Sequence, residues 1–258
     1  MRATKEGVCG LCRTPKELCD SHIVPEFMNK PVYAADHKMI GFKENDSGVK
    51  SYRPQKGLYE RLLCVSCEGH LNKFYEHPHI STWEALCRWQ EQSSLRISYG
   101  VSEKGTEFAD VEGVDYSSFK LLLLSILWRA SIAKRREYRS VTLGPYEEKI
   151  RQMLLERNPG PQMLFPCIVT LLKSPVRLIA EPAKGRYAGH TTYQFIITNV
   201  SLWFFISNRT EQEPMLEVAL KEDGSFQALV SEPEEIPVYN STMQWLRRTK
   251  ASLSRNRS

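Results

Sequence analysis

Apolar and polar positions follow different rhythms in different parts of the chain. Between 115 and 137, Tyr116, Phe119, Leu122, Leu123, Ile126, Leu127 and Ala130 recur at helical spacing, with Asp115 placed as an N-cap. Leu121, Leu124, Trp128 and Ile132 make the rest of that helix apolar too, which predicts burial between layers or at a dimer contact. A second helix is predicted from Tyr146 to Arg157, ended by Asn158-Pro159-Gly160-Pro161. An earlier one is predicted over 81–98, with Trp83, Leu86, Cys87 and Gln90 on one face. From Cys167 onward the period shortens. Residues 167–172, 176–180, 187–197, 202–206 and 216–220 read as strands between turn residues, with 226–230 as a further one. Runs of helix followed by runs of strand predict an α+β fold with an antiparallel sheet packed on the helices.

Residues 29–56 are polar and punctuated by glycine, with Asp46-Ser47-Gly48 as a turn. Lys38, Lys43, Lys50, Arg53 and Lys56 alternate there with Tyr33, Phe42 and Tyr52. That composition suits an exposed hairpin first, and a groove for nucleic acid second. Residues 99–114, rich in glycine and glutamate, predict a short hairpin or a linker, and a domain boundary is placed there.

Composition changes this picture little. Of the 258 residues, 41% are hydrophobic and 25% charged, ordinary globular values. The net charge is +5, and Arg247, Arg248, Lys250, Arg255 and Arg257 account for it, because no acid follows Glu235. Bulk charge therefore predicts no partner, whereas residues 247–258 form a basic tail that is either solvated or in contact with phosphates. A second basic cluster, Arg129, Lys134, Arg135, Arg136 and Arg139 against Glu137, ends the long helix. It complements the helix dipole and is also the best internal candidate for phosphate binding. No apolar run reaches the length of a membrane span, and seven cysteines without a signal peptide predict a reducing, cytoplasmic setting. There is no phosphate-cradling glycine loop, no internal repeat and no Ser-His-Asp order.

The strongest chemical signal is a pair of Cys-x-x-Cys motifs, Cys9/Cys12 and Cys64/Cys67. Two such knuckles supply the four soft ligands of a tetrahedral zinc site; two redox motifs or unrelated buried thiols are the alternatives. The 51 residues between Cys12 and Cys64 exceed the separation of a plain zinc ribbon, so a metal here would clamp a sizeable substructure.

Cys9-x-x-Cys12, then Asp20-Ser21-His22-Ile23-Val24-Pro25, then Leu62-Leu63-Cys64-x-x-Cys67-Glu68 at the start of a helix, resembles the zinc-containing HNH endonucleases, and within them an uncharacterised HNH-like group of bacterial proteins. The resemblance covers about residues 5 to 80. It implies a ββα-metal module, a β-hairpin and helix gripping one divalent ion, that hydrolyses phosphodiester bonds of nucleic acid, with DNA the expected substrate and bacterial defence a fitting role. His22 falls where the family places the water-activating base. A histidine fixed in a small core, or a spare zinc ligand beside Cys19, is the other account of it. Ser21 and Glu68 stand where many members carry aspartate and then histidine or asparagine. Glu68 is a good hard-oxygen ligand for Mg²⁺ or Mn²⁺ and shares a helix face with Asn72. Asp20 lies one position early on the strand, and Glu60 is placed to orient His22 or join the metal.

The expected organisation is therefore an HNH-like zinc module over 1–98, a linker or hairpin over 99–114, an α+β domain over 115–246 and a basic tail. Lys56, Arg61, Arg129, Lys134, Arg135, Arg136, Arg247 and Arg248 are the expected nucleic-acid contacts. The α+β domain would supply recognition, or dimerisation with a second copy or a partner protein. A non-catalytic zinc module that docks on nucleic acid or protein is the alternative from another class.

Overall fold

The computed structural model describes residues 5–33, 41–45, 48–52, 57–91, 93, 95–174, 177–207 and 214–255. Strands β1 (Lys5–Val8) and β2 (Pro15–His22) form a hairpin across the first cysteine knuckle. A one-turn helix α1 (Glu26–Asn29) and a separate hairpin, β3 (Gly41–Asn45) with β4 (Gly48–Tyr52), follow. Strand β5 (Tyr59–Cys64) then returns antiparallel to β2, completing a three-stranded sheet of order β1-β2-β5. Ile23 N donates to Leu58 O at 3.1 Å and closes the neck of this excursion.

Helix α2 (Val65–Leu71) begins directly at the second knuckle. It continues through a wider π turn over Asn72–Glu76, so helical structure extends through Glu76 and its last turn is expanded. Helix α3 (Ile80–Cys87) is shorter than the 81–98 expected. Beyond Cys87 the apolar residues are used differently: Trp89 stacks on Tyr99 at 6.1 Å, and the chain turns into strand at Arg96.

That strand, β6 (Arg96–Val101), and β7 (Glu107–Glu112) make a hairpin that is part of a second, larger sheet. After helices α4 (Tyr116–Ile132) and α5 (Pro145–Glu156) come β8 (Cys167–Leu172), β9 (Leu178–Ile179), β10 (Ala183–Tyr187), β11 (His190–Thr198), β12 (Val200–Ile206) and β13 (Phe226–Ser231). The order is β10-β11-β12-β8-β13-β7-β6, with β9 also on β11. Every pairing is antiparallel except β13 on β8, so the sheet is mixed and the fold α+β. All six residues of β8 are buried, as suits a central strand covered on both faces. Residues 99–114 are thus no linker, because β7 pairs with β13. The strand expected over 216–220 is instead a 3-10 segment, Pro214–Val218, with Leu216 packed on Ile168 and Phe205.

One continuous core runs from Cys9 to Val230 and joins the two sheets. Helix α4 is its axis, buried nearly all round and capped by Asp115, whose Oδ1 accepts from Ser118 N at 2.8 Å. Its far end meets the first knuckle at Gly10. A Cβ there would lie 2.7 Å from Ile132 Cδ1 and 3.3 Å from Leu62 O, so the close approach excludes a side chain. Its near end stacks Phe119 on Phe226 of β13. Of the residues expected as a separate basic tail, 247–255 continue α6 (Pro237–Arg255), whose apolar stripe of Val238, Tyr239 and Met243 packs near Leu172, Leu178 and Ile196; 256–258 lie outside the described residues.

Candidate metal centre and active site

The four cysteines of the two knuckles converge. Their sulfurs all lie within 4.8 Å of one another, with Cys9, Cys64 and Cys67 buried and Cys12 partly so. Thiolate–zinc bonds of about 2.3 Å would set tetrahedral sulfurs about 3.8 Å apart, so small adjustments would close the shell. The turn at Cys9–Cys12 is held by Arg13 N donating to Cys9 O at 2.9 Å, with Arg13 in the left-handed region at φ 59°, and by Gly10 N donating to Leu62 O at 2.9 Å. The Cys64 amide donates to Cys9 Sγ at 3.3 Å, joining the two knuckles through a sulfur. Burial raises the Cys64 thiol, but hydrogen bonds from the Ser66 hydroxyl and the Cys67 amide outweigh it and bring the group down to about 6. Burial pushes Cys9 and Cys67 up. Some of the four give up a proton readily, whereas the others need a cation beside them to do so. This donor set fits a metal ion such as zinc.

The β2–β5 pair has two chemically different faces. Asp20 lies opposite Arg61, Ser21 opposite Glu60 and His22 opposite Tyr59. A register shift occurs between Cys19 and Asp20, but after it the side chains alternate regularly. On the outer face Arg61 Nε is 3.7 Å from Asp20, and the His22 ring meets Tyr59 edge-on at 6.0 Å. His22 Nε2 lies 3.0 Å from Glu26 Oε2 in α1, with 20% of its side chain exposed. Glu26 is itself fixed, accepting from the Tyr33 hydroxyl and, at 3.4 Å, from Gly57 N. Glu26 was missed from sequence. Its i+4 spacing from His22 was visible, but Pro25 hides the turn that brings the two together.

The inner face holds Ser21, fully buried, against Glu68 of α2. The carboxylate is turned into the fold, with Oε2 buried although 26% of the side chain is exposed: Arg129 of α4, fully buried, comes within 3.9 Å of Glu68 Oε1. The same guanidinium donates to Glu76 Oε1 at 2.5 Å, Ser125 Oγ at 3.2 Å and the His22 carbonyl at 2.7 Å. Burial raises the Glu68 carboxyl above its ordinary value, opposed by Arg129 and the Ser21 hydroxyl. Glu68 Oε2 and Ser21 Oγ are nevertheless buried without a well-formed hydrogen bond. Among the described residues, the cysteine quartet is the sole group of three or more His, Cys, Asp or Glu side chains gathered closely enough to hold a metal.

These placements revise several expectations. Arg129 is an interior residue, unable to meet phosphate at the surface, because two acids and a backbone carbonyl surround it. Glu60 faces away from the His22 ring and accepts from Lys134 N at 2.9 Å beyond the end of α4. Asp20 pairs with Arg61 and is on the opposite strand face from Ser21, which lies against Glu68. Lys134 and Arg135 do reach the β5 edge, with Arg135 Nη1 3.4 Å from Tyr59 O, and Arg136 follows in a 3-10 turn. Arg247 is exposed on α6, the Arg248 side chain is outside the described set, and Lys56 lies outside the described residues, as do Lys38 and Arg53.

Comparison of the chain with protein-family models, with curated proteins and with solved structures finds no match. No helix among the described residues is long and apolar enough to cross a membrane.

Proposed function

We propose that this protein hydrolyses phosphodiester bonds of nucleic acid at the outer face of the β2–β5 pair, with His22 as the general base and zinc in the cysteine quartet as a structural clamp. The observation that carries this is the His22–Glu26 pair: an imidazole with 20% of its side chain exposed, whose buried Nε2 lies 3.0 Å from a carboxylate that is itself held by two donors. In that arrangement His22 takes a proton from the attacking water. Glu26 stabilises the imidazolium that forms and keeps the ring in one orientation. Arg61, Arg135 and the half-exposed Tyr59 line the same strand edge and supply phosphate and base contacts. The order of strand, returning strand and helix around two knuckles supports the HNH-like reading. The divalent ion expected at Glu68 does not fit: a serine hydroxyl is a poor ligand, and the carboxylate is already compensated by a buried guanidinium. No step is therefore assigned to a metal at that position.

Cleavage of supercoiled plasmid and of single-stranded RNA, with the zinc-loaded protein in Mg²⁺ or Mn²⁺, tests the proposal. His22→Ala should abolish turnover and Glu26→Gln should reduce it by about 10²-fold or more. Equal cleavage by the parent protein and His22→Ala would remove the site. A second reading, a docking module that binds nucleic acid without cutting it, is favoured by the buried guanidinium that already meets Glu68 where a catalytic ion was expected. Salt-sensitive binding without cleavage would select it.

A further inference from the structure

The cluster around Arg129 lies behind the proposed site and takes no part in it, yet it has the composition of a cation site. Two carboxylates, Glu68 from α2 and Glu76 from the π turn, converge on one point from the zinc side of the fold, with the Ser21 hydroxyl and the His22 carbonyl above them. The positive charge at that point is a guanidinium delivered from α4. Holding the buried Glu76 and the partly buried Glu68 there without a cation would be costly, so some positive group is required.

We propose that the Arg129 guanidinium is a built-in replacement for a divalent cation: the native protein takes no Mg²⁺ or Mn²⁺ at Glu68, and removing this side chain opens a two-carboxylate site that does. Three observations support the exchange. Arg129 is fully buried and bonded to Glu76, Ser125 and His22, so it is not a mobile side chain that an ion could push aside. Glu68 Oε2 and Ser21 Oγ are buried without a well-formed hydrogen bond, which leaves oxygen lone pairs that the planar guanidinium does not use. The ligands that would remain after its removal are all hard oxygens, the type that Mg²⁺ and Mn²⁺ select. A divalent ion there would also neutralise both carboxylates, where one guanidinium neutralises a single charge. The inference does not depend on the chain cutting nucleic acid.

The test is Mn²⁺ binding to the zinc-loaded full-length protein, followed by electron paramagnetic resonance of free Mn²⁺. The parent protein and Glu68→Gln should be indistinguishable, with no site removed by the substitution. Arg129→Ala should gain one site per chain, and Arg129→Ala with Glu68→Gln should lose at least tenfold of that affinity. A parent-protein Mn²⁺ site that disappears in Glu68→Gln would overturn the inference, and this comparison stands even if Arg129→Ala fails to fold. A folded Arg129→Ala that binds no Mn²⁺ would overturn it as well. Because neither arm reads cleavage, failure of the nuclease proposal is seen separately, in the plasmid and RNA assays.

Discussion

Arg129→Met is the most informative stability variant, because it keeps the volume of a buried side chain while deleting the charge shared by Glu68 and Glu76. Removing one partner of a buried ion pair costs about 3–5 kcal/mol, since the other partner is left desolvated. At about 2–4 °C per kcal/mol for a chain of this size, the melting temperature should fall by about 6–20 °C. The cost should also depend on pH in a defined direction. Burial already raises the Glu68 carboxyl against the opposing pull of Arg129, and without the guanidinium it rises further. Between the unfolded carboxylate value of about 4.3 and the raised folded value, the folded variant holds more protons than the unfolded one. Its stability therefore increases as pH falls. Urea unfolding followed by tryptophan fluorescence, at saturating zinc and at pH 7.5, 6.5 and 5.5, should show the gap between variant and parent widest at pH 7.5 and narrowing toward pH 5.5. Adding Glu76→Gln should recover part of the loss at neutral pH. A gap under about 1 kcal/mol, or one independent of pH, would refute the argument that Arg129 compensates these two acids.

Two further outcomes follow from other parts of the fold. Elemental analysis should find one zinc per chain, Cys64→Ser should carry none, and chelation should lower the melting temperature of the whole molecule, because the quartet and the eight-stranded sheet share one core. His79, buried against Phe119 and bonded to Ser118, is pushed down to about 4 by desolvation, with nearby Asp115 opposing the shift. The unfolded chain then binds the extra proton first, so stability is lost as pH falls from about 6.5 through about 4, by about 3 kcal/mol in total. His79→Gln should flatten that part of the pH–stability profile, and an imidazole titrating near 6.5 in the folded protein would contradict it.

The cysteine spacing was legible because each knuckle is a local turn, and so was α4, whose apolar periodicity and Asp115 cap are local too. What the sequence hid was long-range. The parallel pairing of β13 with β8, and the capture of the β6–β7 hairpin by β13, join segments far apart in the chain, and alternation carries no information about partners. Arg129 and Arg136 look alike in a run of basic residues. Only the packing of α4 shows that Arg129 points inward, while Arg136 comes after the helix has ended. Likewise Glu68 had the right chemistry for a metal, but the cation that meets it comes from a helix about 60 residues away. Residues 247–255 looked like a solvated tail because cations dominate them, whereas the apolar stripe that anchors α6 lies earlier in the same helix.

The narrow neck at Ile23 and Leu58 bears on how such a protein diversifies. Both ends of the excursion are fixed by the β2–β5 pairing and, just beyond it, by the cysteine quartet. At its start Val24 and, in α1, Met28 join the core while Glu26 pairs with His22, so the length left open to change is the chain between Tyr33 and Gly57. Doubling such a span costs only about 0.6 kcal/mol in closure entropy. Insertions and deletions between Tyr33 and Gly57 can therefore accumulate without separating Glu26 from His22. The chain thus has a segment whose length can change while the neck at its base stays closed.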